Sequence, residues 1–368
     1  PAPITRASDP YHCTNTPMLA NTLKGATAAV GYSNDYDKYT ICQSMGACFK
    51  VMGVAPVILI NVLDPNKHKK DMAETTVQVN SGVATVEQKD ILLDKLVVKS
   101  ASTTLTAGTD YTAAFDDDGY VTIAIIPGGK AASATSLTVS GVQIDPDAVT
   151  AADIVGGVNA KGVETGMEVI RQIYPALNMT PGILLAPGWS ENATVAAGLQ
   201  AKTGNINGVF RAVCIVDIDS SATGATTYTE VKQQKEKQAV TSPNCYPVWL
   251  YAKVGDVVYA GSAMAAALTV ATDAANGDIP YVSPSNKTLA ISAACLKDGT
   301  EVLLDQEQAN VVNSFGVATW LNMNGFRLWG NNTACYPGNT DPKDRWFSVR
   351  RIMSWDDNTF IQTYFQKV

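Results

Sequence analysis

The sequence predicts an α/β core that is interrupted by a small β domain and followed by the start of an α+β domain. The chain has 368 residues, which is more than one ordinary core accommodates. After about residue 150, apolar runs of strand length alternate with helical periodicity, as in a parallel sheet with crossover helices. Short strands separated by turns precede this region. The predicted domains are a discontinuous core (1–65 plus 150–338), an inserted β-rich domain (66–149) and the beginning of a C-terminal domain (339–368).

The core is expected to begin with an amphipathic helix and an apolar strand. In "YDKYTICQSMGACFKVMG" apolar side chains recur at helical spacing, and Gly53 is placed to end the helix. The residues predicted to share one helical face are Ile41, Met45, Cys48, Phe49 and Met52. The run "VAPVILINVLDP" that follows is apolar on both faces of an extended chain. It therefore predicts a strand buried in a parallel sheet.

The inserted domain is predicted from its strands and turns. The stretches "KLVVKS", "YVTIAII" and "LTVSGVQI" alternate or run apolar, as β-strands do. The tetrapeptide "DDDG" at 116–119 is a strong turn signal in front of a strand. The stretch "IPGGK" at 126–130 lacks the spacing of a phosphate-binding loop, so it also predicts a turn.

The α/β alternation returns after the insertion. The strands "GILLAPG", "RAVCIVDI" and "YPVWLYAKV" are separated by helical stretches, and Ser190 is the predicted N-cap of the helix that follows the first strand. Two short aromatic strands flank "NMNG", which predicts a hairpin. Near the end, "RWFSV" is predicted to be extended and to lead into a helix that begins near Arg350. That helix is expected to pack Ile352, Trp355 and Phe360 against the C-terminal domain.

The composition excludes several classes of protein. The formal net charge is -7, so the chain has no general attraction to a nucleic-acid backbone. No segment reaches the roughly 20 apolar residues that span a bilayer. Seven cysteines lie far apart without a C-x-x-C pair, which favours reduced structural thiols and a cytoplasmic origin over zinc ligands or a disulfide framework. Charged residues make up 17%, a low share that fits a surface partly covered by neighbouring subunits.

Catalytic and cofactor motifs are not evident. The two histidines, His12 and His68, have neighbours that do not form a catalytic triad, so both are predicted to be exposed and solvated. Ser190 ends a strand where α/β enzymes place ligands, but "GWSEN" does not match the G-x-S-x-G nucleophile pattern. The sequence therefore predicts no catalytic residue, cofactor site or metal site. A hydrolase with an unrecognised serine site remains an alternative.

The segment "DRWFSVRR" places arginines between aromatic residues. Grooves for single-stranded nucleic acid use this combination. The arginines are also surrounded by carboxylates at Asp341, Asp344, Asp356 and Asp357. Because the whole chain is acidic, ion pairs are the preferred interpretation.

The ordered set of segments resembles the tail sheath proteins of phages with contractile tails. The segments that carry the resemblance are "NTPMLANTLKGATAAVGYSNDYDKYTICQSMGACFKVMGVAPVILINVLDPNKHKK", "DYTAAFDDDGYVTIAII", "IDPDAVTAADIVGG", "YPALNMTPGILLAPGWSENATVAAGLQAKTGNINGVFRAVCIVDID" and "NNTACYPGNTDPKDRWFSVRRIMSW". The last segment resembles the core signature of the family, in which a W-G-N-x-T-A stretch precedes an R-R helix start. The resemblance runs along essentially the whole chain, and the same family serves R-type bacteriocins and related contractile injection systems.

The resemblance implies a structural protein with a non-catalytic core of subtilisin-like topology. Such subunits form stacked six-fold rings around an inner tube, and contraction drives the tube through a cell envelope. The implied partners are other copies of the chain, the tube protein, and baseplate and tail-terminator proteins, with neither nucleic acid nor membrane insertion. The implied location is a virion tail or bacteriocin particle assembled in the host cytoplasm. Family members also carry terminal arms that add strands to neighbouring subunits, and these arms are expected to be missing from this chain.

The resemblance also suggests roles for the basic residues near the C-terminus. Arg350, Arg351 and Lys367 are candidates for contact with an acidic tube surface, so charge reversal at Arg350 and Arg351 is expected to weaken assembly without unfolding the chain. Arg345 is a candidate for a structural ion pair. A surface-array protein or adhesin is a further alternative, since the insertion is rich in threonine and alanine.

Overall fold

The computed structural model describes residues 1–367 and shows a mixed α/β fold with several small sheets. Its buried side chains form two hydrophobic cores. The smaller core is drawn from residues 72–139, and the larger core surrounds the parallel strands of the chain. None of the helices in residues 1–367 is both long and apolar enough to cross a membrane.

The helices and strands follow the chain in this order. The helices are α1 (Leu23–Val30), α2 (Ile41–Met45), α3 (Ala151–Val155), α4 (Ile173–Leu177), α5 (Ala193–Lys202), α6 (Val231–Lys237), α7 (Gly261–Ala274), α8 (Gln306–Ser314), α9 (Pro342–Arg345) and α10 (Phe347–Lys367). The strands are β1 (Pro17–Ala20), β2 (Val57–Ile60), β3 (Lys69–Gln78), β4 (Val83–Lys89), β5 (Val97–Ser100), β6 (Thr103–Thr104), β7 (Tyr111–Phe115), β8 (Tyr120–Ile125), β9 (Ser136–Ile144), β10 (Gly157–Val158), β11 (Glu164–Thr165), β12 (Ile183–Leu184), β13 (Val213–Ile218), β14 (Cys245–Trp249), β15 (Tyr251–Val254), β16 (Val257–Tyr259), β17 (Ala293–Cys295), β18 (Thr319–Asn322) and β19 (Phe326–Trp329).

The predicted parallel sheet is confirmed. Strands β12, β13 and β14 pair in parallel in that order, with Cys214 opposite Cys245. Helices α5 and α6 provide the crossovers. Every residue of β13 is buried, because helices and loops cover both faces of the sheet. Its continuous apolar sequence is the pattern expected for a strand in that position.

The predicted partner of strand β2 was wrong. Val57–Ile60 pairs antiparallel with β1, Pro17 opposite Ile60, instead of joining the parallel sheet. Only Leu59 of β2 is fully buried. An apolar run indicates that a strand will be covered, but it does not identify the segment that pairs with it.

The predicted helix at residues 41–52 forms, with a different buried surface. Helix α2 continues as a π-helix over Gly46–Met52 and ends at Gly53, which has the left-handed conformation. The continuous block from Cys42 to Cys48 is buried, whereas one stripe was predicted. Helix α7 packs on this segment, and the wider turns of a π-helix shift side chains away from a 3.6-residue stripe.

The inserted region forms two antiparallel sheets around the smaller core. Their strand orders are β3-β9-β5-β6 and β4-β8-β7. The "DDDG" turn joins β7 to β8, as predicted. The Asp116 carboxylate accepts backbone hydrogen bonds from Asp118 at 3.0 Å and Tyr120 at 2.8 Å. Gly119 supplies the positive φ of 87° that this turn requires.

The last part of the core contains one unpredicted break. The stretch "YPVWLYAKV" forms β14 and β15 instead of one strand, because buried Leu250 adopts a φ of 83° between them. Strand β15 then joins an antiparallel sheet with β16 and β17. The "NMNG" hairpin between β18 and β19 is confirmed.

The N-cap of helix α5 is Asn192 and not Ser190. The Asn192 side chain accepts hydrogen bonds from the backbone of Thr194 at 2.9 Å and Val195 at 3.4 Å. We expect Asn192→Ala to lower the free energy of unfolding by about 1 kcal/mol, because two backbone donors lose their acceptor. Urea denaturation measures this. The control is Asn66→Ala at an exposed turn, and an equal change in both variants would contradict the assignment of the cap.

Candidate functional site

Helix α10 carries Arg350 and Arg351, two of the arginines that the sequence singles out. It packs against the larger core through a mostly polar stripe. Its buried residues are Phe347, Arg351, Ser354 and Asn358, at the spacing of one helical face. The packing of Ile352, Trp355 and Phe360 against a C-terminal domain stays a prediction, since these side chains are not part of the buried stripe. Phe360 is 72% exposed and Trp355 is 37% exposed. The "RWFSV" stretch is also not a strand, since α10 already begins at Phe347.

Arg351 forms a buried ion pair with Asp273 in the last turn of α7. Nη1 donates to one carboxylate oxygen at 2.8 Å, and Nη2 donates to the other. Only 7% of the Arg351 side chain is exposed. A carboxylate near the negative end of a helix dipole is unfavourable unless a cation neutralises it. The pair therefore joins the C-terminal end of α7 to the beginning of α10.

Arg350 points toward a different part of the core. Its Nε and Nη2 donate to the Asn244 side-chain oxygen at 2.9 and 2.6 Å, and Nη1 donates to Asp344 at 3.1 Å. Both guanidinium groups are thus held inside this chain. Reversing both charges was expected to leave the chain folded, and this expectation is corrected. The change would leave Asp273 buried without a cation, so it would destabilise the fold.

Arg345 and Lys367 are placed differently from these two arginines. Nε of Arg345 donates to the Asn332 side chain at 2.9 Å, and its guanidinium lies 4.2 Å from the ring centres of both Tyr336 and Trp346. Within residues 1–367 it forms no salt bridge, so the ion pair predicted for Arg345 is replaced by cation–π contacts. Lys367 is exposed at the end of α10.

The carboxyl edge of the parallel sheet holds a buried polar cluster that is centred on Asp217. Ser262 at the beginning of α7 donates to this carboxylate from its backbone at 2.7 Å and from Oγ at 2.6 Å. Ser190 Oγ donates to Asp217 at 3.0 Å and accepts from the Asp217 backbone at 2.9 Å. Burial raises the pKa of Asp217, and the serine hydrogen bonds oppose that shift. Asp217 therefore acts as a buried cap for α7.

Glu191 lies beside this cluster and is 8% exposed. Its carboxylate contacts Lys297 and accepts from the Tyr251 hydroxyl at 2.8 Å. Burial raises the pKa of Glu191 to about 7, while the Lys297 cation partly offsets the shift. The contact ties the first residues before α5 to the loop that follows β17.

A groove of about 520 Å³ lies between α10 and the strands β2 and β12. Its lining is mainly apolar and includes Val57, Ile170 and Met179. In residues 1–367, β2 and β12 each pair with one other strand, so each has an edge that lacks a strand partner there.

Comparisons with known proteins identify relatives of the chain. No protein-family model matches it. The chain is 30% identical over 318 residues to a tail sheath protein of Burkholderia phage BcepMu, covering 81% of this chain and 63% of that protein. It is 28% identical over 257 residues to a prophage major tail sheath protein of Pseudomonas aeruginosa, covering 68% of this chain and 62% of that protein. The chain is a homologue of phage tail sheath proteins.

A solved structure supports the sheath-like fold. The crystal structure of a sheath tail protein from Desulfitobacterium hafniense aligns with a TM-score of 0.50 over 95% of this chain and 76% of that one, at 10% identity. At this identity the likeness concerns the fold alone. The chain spans somewhat under two thirds of the length of the two relatives that match in sequence.

The relatives of this sheath homologue are structural proteins rather than enzymes, and the geometry around Ser190 agrees. Ser190 is fully buried and hydrogen-bonded to Asp217. His68 was predicted to be exposed but is 2% exposed, and its neighbours are Asp64 and Asp153. His12 is exposed and contacts Asp9. All seven cysteines are free thiols.

Sequence reasoning missed the residues that complete the contact between α10 and the larger core. Asn358 accepts from the Arg211 backbone N–H at 2.9 Å and donates to the Arg211 carbonyl at 2.7 Å. It thus satisfies both backbone groups of one residue, as a neighbouring strand would. Partners 147 positions apart in the chain leave no local pattern from which to predict this contact.

We expect Arg351→Met to lower the free energy of unfolding by about 3–5 kcal/mol, because Asp273 would stay buried without a cation. Denaturant titration monitored by circular dichroism measures this. The control is Asp357→Asn, which breaks the exposed Arg211–Asp357 pair and is expected to change stability by less than about 1 kcal/mol. If both substitutions have equally small effects, the pair does not hold α10.

Glu191 is expected to make stability depend on pH. Its folded pKa is above the usual 4.5, so its contribution is fully present below pH 4.5 and is lost as pH rises through about 7. The unfolding free energy of the wild type should therefore fall by up to about 3 kcal/mol between about pH 5 and pH 8. The Glu191→Gln variant should lack this fall. Urea unfolding at both pH values measures the difference.

The control for this pH dependence is Glu236→Gln, which removes an exposed carboxylate. Its stability is expected to follow wild type at both pH values. A Glu191→Gln variant that also follows wild type would show that Glu191 titrates as an ordinary carboxylate.

Proposed function

We propose that this chain is the body of a contractile tail sheath subunit. Such subunits would stack as six-fold rings around an inner tube and contract to drive the tube through a target envelope. The observation that carries this proposal is the 30% identity to the tail sheath protein of Burkholderia phage BcepMu over 81% of this chain. The fold shared with the sheath tail protein of Desulfitobacterium hafniense supports it.

Under this proposal the two hydrophobic cores correspond to two domains. Residues 66–149 would form the inserted domain, residues 1–65 and 150–338 the discontinuous core, and residues 339–368 the start of a C-terminal domain. The separate core drawn from residues 72–139 supports the division. The parallel order β12-β13-β14 with crossover helices is compatible with a subtilisin-like topology that carries no catalytic residues.

The proposed mechanism is rigid-body movement of subunits. The extended sheath would be a metastable array, and contraction would bury additional surface between neighbouring copies. The energy would come from assembly, without nucleotide hydrolysis. The ion pair and amide contacts that fix α10 to the core would transmit force from one part of a subunit to another without deformation.

The proposed partners are further copies of the chain, the inner tube, and the baseplate and terminator proteins of the same particle. The particle would be a virion tail or a bacteriocin, assembled in the host cytoplasm. Three basic residues were expected to contact an acidic tube, and the guanidinium groups of Arg350 and Arg351 are held inside this chain, so the proposed tube contact is now limited to Lys367. Among these three, Lys367 has an exposed side chain, so it is the best position for a test.

Electron microscopy of the full-length gene product mixed with its tube protein tests the function. Hollow striated cylinders are expected without added nucleotide. Single particles only, or contraction that requires ATP, would contradict the proposal.

Lys367→Glu tests the tube contact separately. It is expected to leave the thermal midpoint unchanged, because the residue is exposed, and to reduce tube-templated assembly at low salt. Lys232→Glu, at an exposed position of α6, serves as the control. Equal assembly by both variants would remove Lys367 from the tube contact.

A further inference from the structure

The apolar groove of about 520 Å³ runs along two strand edges. Within residues 1–367, strand β2 pairs only with β1, and strand β12 pairs only with β13. Consecutive residues line the groove on both sides, 56–60 at β2 and 181–187 at β12. The side chains of a strand alternate between its two faces. A cavity that touches every residue in turn therefore lies along the edge of the strand.

Two groups of helical segments complete the lining of this groove. Helix α7 packs on the π-helix Gly46–Met52, and the two contribute Val270 and Cys48. The 3₁₀-helix Gly166–Gln172 packs on α5 and contributes Met167. A segment in the groove would thus be covered by helices much as β13 is. Its side chains are expected to be apolar for the same reason.

The two free edges add a regular polar component to this apolar lining. A strand edge presents its backbone N–H and C=O groups in a row, and such groups are almost always hydrogen-bonded when they are buried. An extended backbone matches these rows on both of its sides. The charged side chains of Arg351 and Asp273 in the lining pair with each other. The groove therefore suits a peptide strand better than a small polar ligand.

Pro1 indicates which chain can supply that strand. Pro1 lines the groove, and its carbonyl accepts a hydrogen bond from the Ile41 backbone N–H at 3.3 Å. A chain that continues on the amino side of Pro1 would therefore start at the groove itself. The two relatives that match in sequence are longer than the part that this chain covers.

We propose that the groove receives an extended apolar strand of about five residues from the segment that precedes Pro1 in the full-length gene product. The strand would pair with β2 on one side and with β12 on the other. It would join the sheets β1-β2 and β12-β13-β14 into one continuous sheet. Unlike the arms expected to pair with neighbouring subunits, this strand would complete its own subunit. The proposal does not depend on ring stacking or contraction.

The strand would also cover the side of α10 that lines the groove. Trp355 and Thr359 contribute to the lining, and Trp355 is 37% exposed without the strand. The Arg351–Asp273 pair lies in the same wall. Insertion of the strand would therefore remove this pair further from water and attach α10 to both sheets.

Hydrogen–deuterium exchange of residues 1–368 and of the full-length gene product, both without tube protein, tests the proposal. Amides that are hydrogen-bonded within a sheet exchange slowly, so β2 and β12 are expected to exchange at least about tenfold more slowly in the full-length product. The control is β7, an edge strand of the inserted region, which should exchange equally in both. Equal exchange of β2 and β12 in both proteins would overturn the proposal.

Dilution identifies the source of the strand. A strand from the same molecule protects β2 and β12 equally at all protein concentrations, because its pairing is intramolecular. Protection that decreases on dilution would assign the strand to a second copy and would contradict the proposed source. Neither measurement requires the tube, so a failure to form sheath cylinders would leave both results interpretable.

Ile58→Lys tests the groove by substitution. Ile58 is half-buried in β2 and lines the groove, and a strand in the groove would bury it further. The substitution is therefore expected to lower the thermal midpoint of the full-length product more than that of residues 1–368. Val83→Lys, at a 40% exposed position of β4, is the control and should shift both midpoints equally. An equal effect of Ile58→Lys on both proteins would contradict insertion of the strand.

Discussion

Helix α7 is buried along most of its length, and the rest of the larger core depends on satisfying both of its ends inside the protein. Its residues from Gly261 to Thr269 are all buried. The free N–H groups at a helix start and the negative charge at its end are usually satisfied by water. Here Asp217 supplies the acceptor at one end and Arg351 supplies the cation at the other. Both partners come from distant parts of the chain, so α7 links the parallel sheet to α10.

The same constraint explains why the C-terminal arginines resemble a binding site in the sequence. A cluster of arginines and aromatic rings is typical of ligand grooves. In this chain, Arg351 neutralises a helix end, Arg350 joins the loop before β14 to helix α9, and Arg345 stacks between two rings. Planar guanidinium groups suit such buried contacts because they present several donors in a fixed geometry.

Much of the fold could be predicted because its signals are local. The "DDDG" and "NMNG" turns, the stop at Gly53 and the apolar run of β13 each depend on neighbouring residues. The partner of β2 and the cap of α5 were predicted wrongly, and the polar stripe that buries α10 on the core was not predicted. Each depends on a choice among several chemically similar segments. The buried stripe of α10 contains Arg351, Ser354 and Asn358, so an apolar pattern points to the opposite face.

The buried histidine shows how an insertion can be joined to a core without loosening it. The chain leaves the larger core near Asp64 and returns near Asp145. His68 Nδ1 accepts from the Asp64 backbone at 2.9 Å, and the His68 carbonyl accepts from the Asp145 backbone at 2.8 Å. The other ring nitrogen, Nε2, faces the Asp153 carboxylate at 3.5 Å.

One residue therefore contacts both connections between the two cores, through its ring at Asp64 and through its backbone carbonyl at Asp145. Asp153 caps α3 and also contacts Lys67, so the return of the chain is fixed by the same group of residues. Arg6 forms a further attachment on another side of the junction. An inserted unit that is fixed at two separate places cannot rotate freely against the larger core.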